Sequence, residues 1–340
     1  MQRQAIFPVT HSILSAATLL REVLPDYGVE QPLACQLLNR GLNDTYLVLT
    51  SGERYILRAY RAGWRSDAAI RYELDALNHL ATRGLAVSTP VRRRRGGFVR
   101  VVQAPEGRRQ IVLFTYARGK AGHDHEDYAT LYGRMAAEIH HASDDFFSRH
   151  RRFRIDLVEL LDKPLATIRP RLAHRPQDWH YLQDLAERLR RRVDALPASE
   201  LETGFCHGDL HGGNVHLEGE TLTAFDFDCC GPGWRAYDVA VFLWGCSLRS
   251  FKKGEHRWEQ FLHGYTQRRR LPALDLAAVP LFVAIRHFWL LGLHTGNGQD
   301  WGFGWMDDGY FDRSLKFLRR WERRHLRRQS PLSQGVRGDA

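Results

Sequence analysis

Three polar residues of defined type and spacing stand out in the second half of the chain. Asp209 precedes Asn214 on one loop, and two β-prone runs follow at 215–217 and 222–225. Asp226 comes directly after the second run. This pattern predicts a β-hairpin with a carboxylate and an amide at one mouth and a second carboxylate at the other.

These residue types suit the transfer of a phosphoryl group from ATP to a hydroxyl. Such a transfer depends mainly on positioning and on neutralisation of charge. One carboxylate must accept the hydroxyl proton, and Asp209 fits this role. Carboxylate and amide oxygens suit magnesium, which predicts Asn214 and Asp226 as its ligands. We interpret His207 as a scaffold residue that ties the loop to the backbone.

The run H-G-D-L-H-x-x-N followed by F-D-F-D resembles the catalytic core of the aminoglycoside phosphotransferase/choline kinase family. That family is related to the protein kinases, whose pattern is H-R-D-x-x-x-x-N followed by D-F-G. Gly208 in place of the Arg indicates the small-molecule branch. Asp228 replaces the Gly of D-F-G, and the resemblance implies that it helps a second metal ion. It also implies that Asp238 supports the catalytic loop.

The resemblance implies a nucleotide site on the strand predicted at 54–60. Arg58 stands where kinases carry a Lys and would bridge phosphate oxygens, while Ile56 would lie under the adenine. Glu73, on a helix predicted at 67–83, would form an ion pair with Arg58. Tyr116 would belong to the hinge whose backbone binds the adenine edge. The alternatives are an Arg58 that extends from an edge strand to solvent and a Glu73 on the surface.

The implied fold is α+β, a protein-kinase-like bilobal fold with a small antiparallel β-sheet N-lobe and a mainly helical C-lobe. We expect a nucleotide-binding lobe at 1–117, a catalytic and substrate lobe at 118–328 and a disordered tail at 329–340. The remaining strands are predicted at 33–38, 46–50, 98–102 and 110–114. The remaining helices are predicted at 12–24, 128–142, 157–172, 181–196, 235–248 and 257–268.

Composition favours a reduced, cytoplasmic protein. Hydrophobic residues make up 44% and charged residues 26% of the chain, as in globular proteins. The five cysteines are an odd number without a paired C-x-x-C pattern, and we expect Cys229 and Cys230 to be buried rather than redox-active or zinc-binding.

Met1–Pro8 is too polar for a signal peptide. Val279–Leu293 is too short and too charged a run to be expected to span a bilayer, so we expect a buried helix and no membrane partner.

The net charge of +10 raises the question of nucleic-acid binding. No recognition motif accompanies the basic runs, so solvated arginine-rich helix faces are the favoured interpretation and we expect no nucleic-acid partner. A strongly cationic protein is also an unsuitable host for a polycationic aminoglycoside, unless the site is locally acidic.

The acceptor is expected to be a small hydroxylated substrate, used with ATP and Mg²⁺ as cofactors. A stress-response Ser/Thr protein kinase and a homoserine kinase-like enzyme stay open, as does the oligomeric state. A non-catalytic nucleotide-binding regulator is disfavoured because Asp209 and Asp226 are both present. The last helices either wall the acceptor pocket or only close the helical lobe. Their polar and aromatic residues are Arg286, His287, His294, Asn297, Asp300, Trp301, Trp305, Asp307 and Asp308.

Overall fold

The computed structural model describes residues 7–122, 125, 127–248 and 250–327. The chain divides into two compact units. One comprises residues 1–118 with 148–151, and the other residues 119–147 with 152–340. The predicted disordered tail at 329–340 lies outside the described residues.

The first unit is built on a five-stranded antiparallel sheet of order β1-β2-β3-β5-β4. Its strands are β1 Ala34–Arg40, β2 Asn43–Leu49, β3 Arg54–Tyr60, β4 Arg100–Ala104 and β5 Gly107–Thr115. Strands β2, β3 and β5 bury Tyr46, Leu57 and Leu113 in the core, as period-two alternation requires. The predicted bounds of β3 are confirmed, and the strand lies in the middle of the sheet.

Helical segments accompany the sheet. The predicted helix at 12–24 begins later, with α1 Ala16–Thr18, and continues as a π-helical turn Leu19–Val23 and a 3₁₀ turn Leu24–Asp26. Leu19, Val23 and Leu24 pack into the sheet core. Helix α2, Asp67–Thr82, begins where the Ser66 hydroxyl accepts a hydrogen bond from the Ala69 N–H.

A buried ion pair lies in this unit. Arg109 on β5 donates to the carboxylate of Asp44 at 2.8 Å, and both side chains are fully buried. Arg109 also donates to the backbone oxygens of Ser12, Ala59 and Tyr60 at 2.8–2.9 Å. These bonds tie three segments of the first unit to one guanidinium.

The second unit is mainly helical, as predicted. Its helices include α3 Tyr128–Ala142, α4 Lys163–Ile168, α5 Pro176–Asp194, α6 Arg235–Ser247, α7 Phe251–Thr266, α8 Ala273–Gly296, α9 Gly298–Trp301 and α10 Asp308–Trp321. Two small antiparallel sheets pair β6 Thr203–Cys206 with β9 Gly231–Trp234, and β7 Val215–Glu218 with β8 Thr221–Ala224. The predicted α+β class, with an antiparallel sheet followed by a mainly helical region, is confirmed.

Helices α3 and α7 approach each other closely at two glycines. A Cβ at Gly133 would lie 2.0 Å from the backbone oxygen of Phe261, and one at Gly264 would lie 1.9 Å from that of Thr130. Larger side chains cannot occupy these positions without separating the helices.

Helix α8 is the most apolar element of the second unit. Its 24 residues exceed the length predicted from the sequence, and by length and composition alone they could cross a membrane. Of its apolar 18-residue window, however, 78% is buried within the protein. The expectation of a short segment was wrong, whereas the expectation of a buried helix is confirmed.

Candidate active site

The loop between β6 and β7 carries Asp209 and is held by one carboxylate of α6. Asp238 accepts hydrogen bonds from the backbone N–H groups of His207 at 2.6 Å and Gly208 at 2.7 Å. Gly208 has φ 79°, and a Cβ there would lie 2.2 Å from the backbone oxygen of Cys229. The predicted supporting contact of Asp238 is therefore present, and the turn requires glycine.

His207 connects this loop to the following hairpin. Its Nε2 lies 3.0 Å from the backbone oxygen of Phe225, which can only accept, so Nε2–H donates. Nδ1 is then free to accept from the Asp209 N–H at 3.3 Å. Burial lowers the pKa of His207, although Asp238 acts in the opposite direction, so the ring stays neutral and serves as the predicted scaffold.

His140, in the last turn of α3, also contacts Asp238. It is fully buried, with Nε2 3.3 Å from the Asp238 carboxylate and Nδ1 2.8 Å from the Tyr265 hydroxyl. Burial lowers the pKa of His140 despite the hydrogen bond to Asp238. The neutral ring therefore donates to Asp238 and accepts from Tyr265, which orients the carboxylate that holds the loop.

Asp209 lies among groups that stabilise its charge. Arg286, from α8, donates to Oδ1 and is itself buried. Asn214 donates to Oδ2 at 3.3 Å, and His211 Nε2 lies 3.6 Å from the same oxygen. Burial opposes ionisation, but the positive charge of Arg286, aided by His211, holds the pKa of Asp209 well below its ordinary value of 3.8.

The predicted metal ligands lie at the base of the β7–β8 hairpin. The Phe225 N–H donates to the backbone oxygen of Asn214 at 3.0 Å, so Asn214 and Asp226 flank the same end of the hairpin. The Asn214 amide nitrogen also donates to the backbone oxygen of Asp209 at 2.9 Å. This orientation makes its carbonyl oxygen the atom suited to a cation.

Asp226 and Asp228 differ in backbone and burial. Asp226 is exposed and has φ 61°, and it is the one non-glycine residue with positive φ in the described part of the chain. Asp228 is only 2% exposed, and its backbone oxygen accepts from Arg152. An exposed carboxylate held in a strained conformation suits a ligand site better than a buried one.

These oxygens fit magnesium but do not form a closed chelate. Among the described residues, no three His, Cys, Asp or Glu side chains cluster as a metal site. Magnesium typically takes one or two protein oxygens and completes its shell with water and phosphate oxygens. The donor set of Asn214 and Asp226 therefore agrees with this ion.

The predicted nucleotide residues lie in the first unit, on β3, α2 and the end of β5. Arg58 donates to Glu73 at 2.7 Å, and Tyr60 donates to the other oxygen of Glu73 at 2.8 Å. The two charged residues are buried, so the predicted ion pair is present and both surface alternatives are wrong. Ile56 is half-buried beside Phe114 of β5.

Tyr116 follows β5 and is half-buried. The Arg54 guanidinium lies 5.5 Å from the centre of its ring, within the range of a cation–π contact. The predicted role of Tyr116 at the adenine edge stays a prediction.

A pocket of about 670 Å³ opens beside Asp209 within the second unit. We call it the Asp209 pocket. Its walls come from α6, α7 and α8, together with the loop that carries Asp209. Among its lining residues are Asp209, His211, Trp244, Lys253, Arg257, Arg286 and Trp289.

The polar and aromatic residues of the C-terminal helices lie in two different environments. Arg286 lines the Asp209 pocket, whereas His294 packs its ring against Trp301 and Trp305. Asp307 accepts from the Tyr310 N–H at 2.8 Å and caps α10. Asp308 pairs with His174 at 2.8 Å. Only the α8 part of this region therefore contributes to the pocket, and the rest closes the helical unit.

The chain matches the model of the phosphotransferase enzyme family, APH, over residues 35–277. The chain belongs to this family. An uncharacterised protein of Deinococcus radiodurans is 42% identical over 94% of this chain and 93% of its own. Amicoumacin kinase of Bacillus subtilis is 25% identical over 81% and 83%. Homoserine kinase of Paramagnetospirillum magneticum is 26% identical over 77% and 80%.

Solved structures of small-molecule kinases share the fold. Amicoumacin kinase hAmiN, in complex with AMP-PNP, Ca²⁺ and Ami, matches 94% of this chain and 97% of its own with a TM-score of 0.74 and 20% identity. A microcompartment-associated aminopropanol kinase matches 90% and 95% with a TM-score of 0.68 and 26% identity. This member of the APH family is therefore a phosphotransferase with a kinase-like fold that acts on a hydroxyl group of a small molecule.

Sequence reasoning missed the link between Arg286 and Asp209. It noted Arg286 as a charge within an apolar run and as a residue that could wall the acceptor pocket, but not as a partner of Asp209. A charged residue in the middle of a buried helix requires a partner, and the one carboxylate of the catalytic loop was the candidate to test.

Proposed function

We propose that this phosphotransferase moves the γ-phosphate of ATP to the hydroxyl of a small acceptor bound in the Asp209 pocket. The observation that carries the proposal is the set of contacts around Asp209, in which an ionised carboxylate lines a pocket large enough for a metabolite. Asp209 would orient the acceptor hydroxyl and take its proton as the new O–P bond forms and the bond between the γ-phosphorus and ADP breaks.

The remaining residues would hold the nucleotide. Asn214 and Asp226 would bind magnesium, with Asp228 as a weaker candidate because of its burial. The ion would neutralise phosphate charge. Arg58 would contact phosphate oxygens in an orientation fixed by Glu73, and Ile56 and Tyr116 would contact the adenine.

The named relatives support this proposal at the level of chemistry. The amicoumacin kinase structure contains an ATP analogue and a divalent cation, and the aminopropanol and homoserine kinases are named for small hydroxylated acceptors. A homoserine kinase-like activity is therefore retained as a second candidate. Cytoplasmic location stays a prediction.

The catalytic assignment is tested with Asp209→Asn, which keeps the side-chain shape and removes the charge. We expect turnover to fall by about 10²–10⁴-fold because the hydroxyl loses the carboxylate that orients it and finally takes its proton. Binding of AMP-PNP should be unchanged. ADP release is measured over a panel of hydroxylated acceptors that includes homoserine and aminopropanol, with Asp194→Asn, an exposed aspartate, as control. A variant that keeps more than about a tenth of the wild-type rate overturns the assignment.

The metal assignment is tested with Asn214→Ala. Removal of one oxygen ligand should raise the magnesium concentration needed for half-maximal ADP release, while saturating magnesium restores part of the rate. A magnesium titration compares this variant with wild type and Asp194→Asn. An unchanged midpoint would show that Asn214 is not a ligand.

A further inference from the structure

The hydrogen bonds of Arg286 fix only part of its guanidinium. Nη2 donates to Oδ1 of Asp209. Nη1 lies 3.5 Å from the backbone oxygen of Gly208 and 3.4 Å from the Tyr237 hydroxyl, which are long distances for hydrogen bonds. Nε is buried and has no hydrogen-bond partner among the described residues. These hydrogen bonds alone would allow the guanidinium plane to turn about its contact with Asp209.

Two indole rings contact the same guanidinium from different helices. Cζ of Arg286 lies 4.1 Å from the centre of the Trp289 ring, three residues further along α8, and 4.8 Å from the centre of the Trp244 ring on α6. Both distances lie within the range of a cation–π contact. A guanidinium stacks well on an aromatic face because it is planar and weakly hydrated. Since Arg286 is only 2% exposed, these rings take the place of water around a buried cation.

The two tryptophans are held differently. Trp244 is buried, and its Nε1–H donates to Nδ1 of His287 at 3.2 Å, which fixes the position of its ring. Trp289 is half-buried and lines the Asp209 pocket. Trp289 can therefore be replaced with less disturbance of the core than Trp244, and it is the residue to test.

We propose that Trp289 is a positioning residue, whose indole holds Arg286 in the orientation that aligns the Asp209 carboxylate with the acceptor hydroxyl. This inference rests on the proposed function and adds a residue that acts on turnover through two other side chains. Because small misplacements of a reacting group lower its rate steeply, loss of the ring should lower kcat. A residue that only walls the pocket would change KM instead.

Steady-state kinetics of ADP release by the full-length protein distinguish the two roles, with homoserine and aminopropanol as acceptors. We expect Trp289→Leu to lower kcat by about tenfold, because Arg286 and with it Asp209 lose their alignment. Trp289→Phe keeps an aromatic face for the guanidinium and should keep at least about half of the wild-type kcat.

Trp305→Leu is the matched control, because it makes the same change at a tryptophan that is 43% exposed and does not line the pocket. It should keep the wild-type kcat. A change in KM alone for Trp289→Leu, or an equal kcat for Trp289→Leu and Trp289→Phe, would overturn the inference.

A double-mutant cycle shows whether Trp289 acts through Arg286. In Arg286→Met the indole has no guanidinium to hold, so the addition of Trp289→Leu should lower kcat by less than about twofold further. A further loss as large as that of Trp289→Leu in the wild-type background would mean that Trp289 acts independently of Arg286, which contradicts the proposal.

A spectroscopic measurement needs no acceptor. In isotope-labelled protein, the NMR signal of the Arg286 Nε–H is assigned from its absence in Arg286→Lys. Ring currents of the nearby indoles should displace this signal, and the burial of Nε should slow its exchange with water. Trp289→Leu should reduce the displacement and accelerate the exchange, whereas Trp305→Leu should change neither. An unchanged signal in Trp289→Leu would overturn the inference.

Failure of the proposed function gives a different result. If neither acceptor stimulates ADP release and Asp209→Asn leaves ADP release unchanged, the proposed function fails. A changed Arg286 signal in Trp289→Leu would then still support the contact by which Trp289 holds Arg286.

Discussion

The contact between Arg286 and Asp209 determines what this carboxylate can do. A carboxylate whose pKa lies far below its ordinary value is a weak base. Phosphoryl transfer passes through a loose transition state that needs little help from a base before the O–P bond forms. In the proposed reaction, Asp209 would therefore serve mainly to orient the acceptor hydroxyl, and Arg286 would position Asp209.

Two replacements of Arg286 distinguish its effect on the orientation of Asp209 from its effect on the pKa of Asp209. In Arg286→Met, burial is no longer opposed by the guanidinium, so the pKa of Asp209 rises. We expect the acid limb of the kcat/KM profile to move to higher pH and turnover at neutral pH to fall by about 10- to 100-fold, because the carboxylate is less well oriented. Arg286→Lys should keep the acid limb near its wild-type position.

The ion pair between Arg286 and Asp209 also contributes to folding stability, and the direction of its pH dependence can be predicted. The pKa of Asp209 is lower in the folded protein than in the unfolded chain. The ion pair therefore stabilises the fold at pH values above the pKa of Asp209 in the unfolded chain. This stabilisation is lost as the pH falls through the pKa of Asp209 in the folded protein. The stability difference between wild type and Arg286→Met should therefore be largest near neutral pH and narrow in acid. A constant difference in denaturation experiments across this range would contradict the role of the ion pair.

At the scale of elements, α6 supports the loop that carries Asp209 through Asp238, and α3 and α7 orient Asp238 through His140 and Tyr265. In Asp238→Asn, an amide NH₂ group would face one of the two backbone N–H donors. We expect a loss of about 1.5–3 kcal/mol of stability and a lower kcat. Thermal denaturation and ADP release measure the two effects, with Asp194→Asn as control. A variant with wild-type stability would show that the two hydrogen bonds contribute little.

The local pattern of apolar and polar residues predicted the bounds of some strands and helices well. The bounds of β3 and α3 match the sequence pattern. Leu57 and Ala59, two residues apart on β3, both pack in the sheet core, and α3 buries Tyr132, Met135 and Ile139 at helical spacing. The β6–β9 pair was not predicted, since β9 reads Gly-Pro-Gly-Trp and has little intrinsic strand preference. Helix α7 was predicted to begin at residue 257, but the Ser250 hydroxyl accepts from the Lys253 N–H and starts the helix earlier.

The candidate site was predicted where its residues are close in sequence. Asp209, Asn214 and Asp226 were found on one hairpin from their spacing, and the Arg58–Glu73 pair followed from family resemblance. Contacts between distant segments, such as Arg286 with Asp209 or Arg109 with Asp44, depend on tertiary packing. The hydrophobic periodicity of a single element carries no information about contacts between distant segments.

At the scale of the whole molecule, each unit buries its own apolar residues together with its own charged residues. Arg109 connects β3, β5 and the N-terminal segment inside the first unit. In Arg109→Met, the Asp44 carboxylate would remain buried with its strongest partner removed. The expected loss of stability is about 3–5 kcal/mol.

Hydrogen exchange distinguishes this prediction from general unfolding. Amides of β2, β3 and β5 should lose protection in Arg109→Met, while those of α3, α6 and α8 should keep it under mild conditions. Arg108→Met, at the exposed neighbouring position of β5, is the matched control. Equal loss of protection in both units would contradict a local role for the ion pair.

The glycine contacts between α3 and α7 have a consequence for how the specificity of this chain can change. Because Gly133 and Gly264 bring the two backbones together, α7 cannot move outward or inward without a loss of packing. Under the proposed function, new acceptors would therefore be accommodated by exchanging side chains on a helix of fixed position, and Lys253 and Arg257 line the pocket from that helix. Specificity can therefore be altered by substitutions in the pocket lining while the spacing of α3 and α7 is kept. In directed evolution for a new acceptor, we expect substitutions to accumulate at the lining positions while Gly133 and Gly264 are retained.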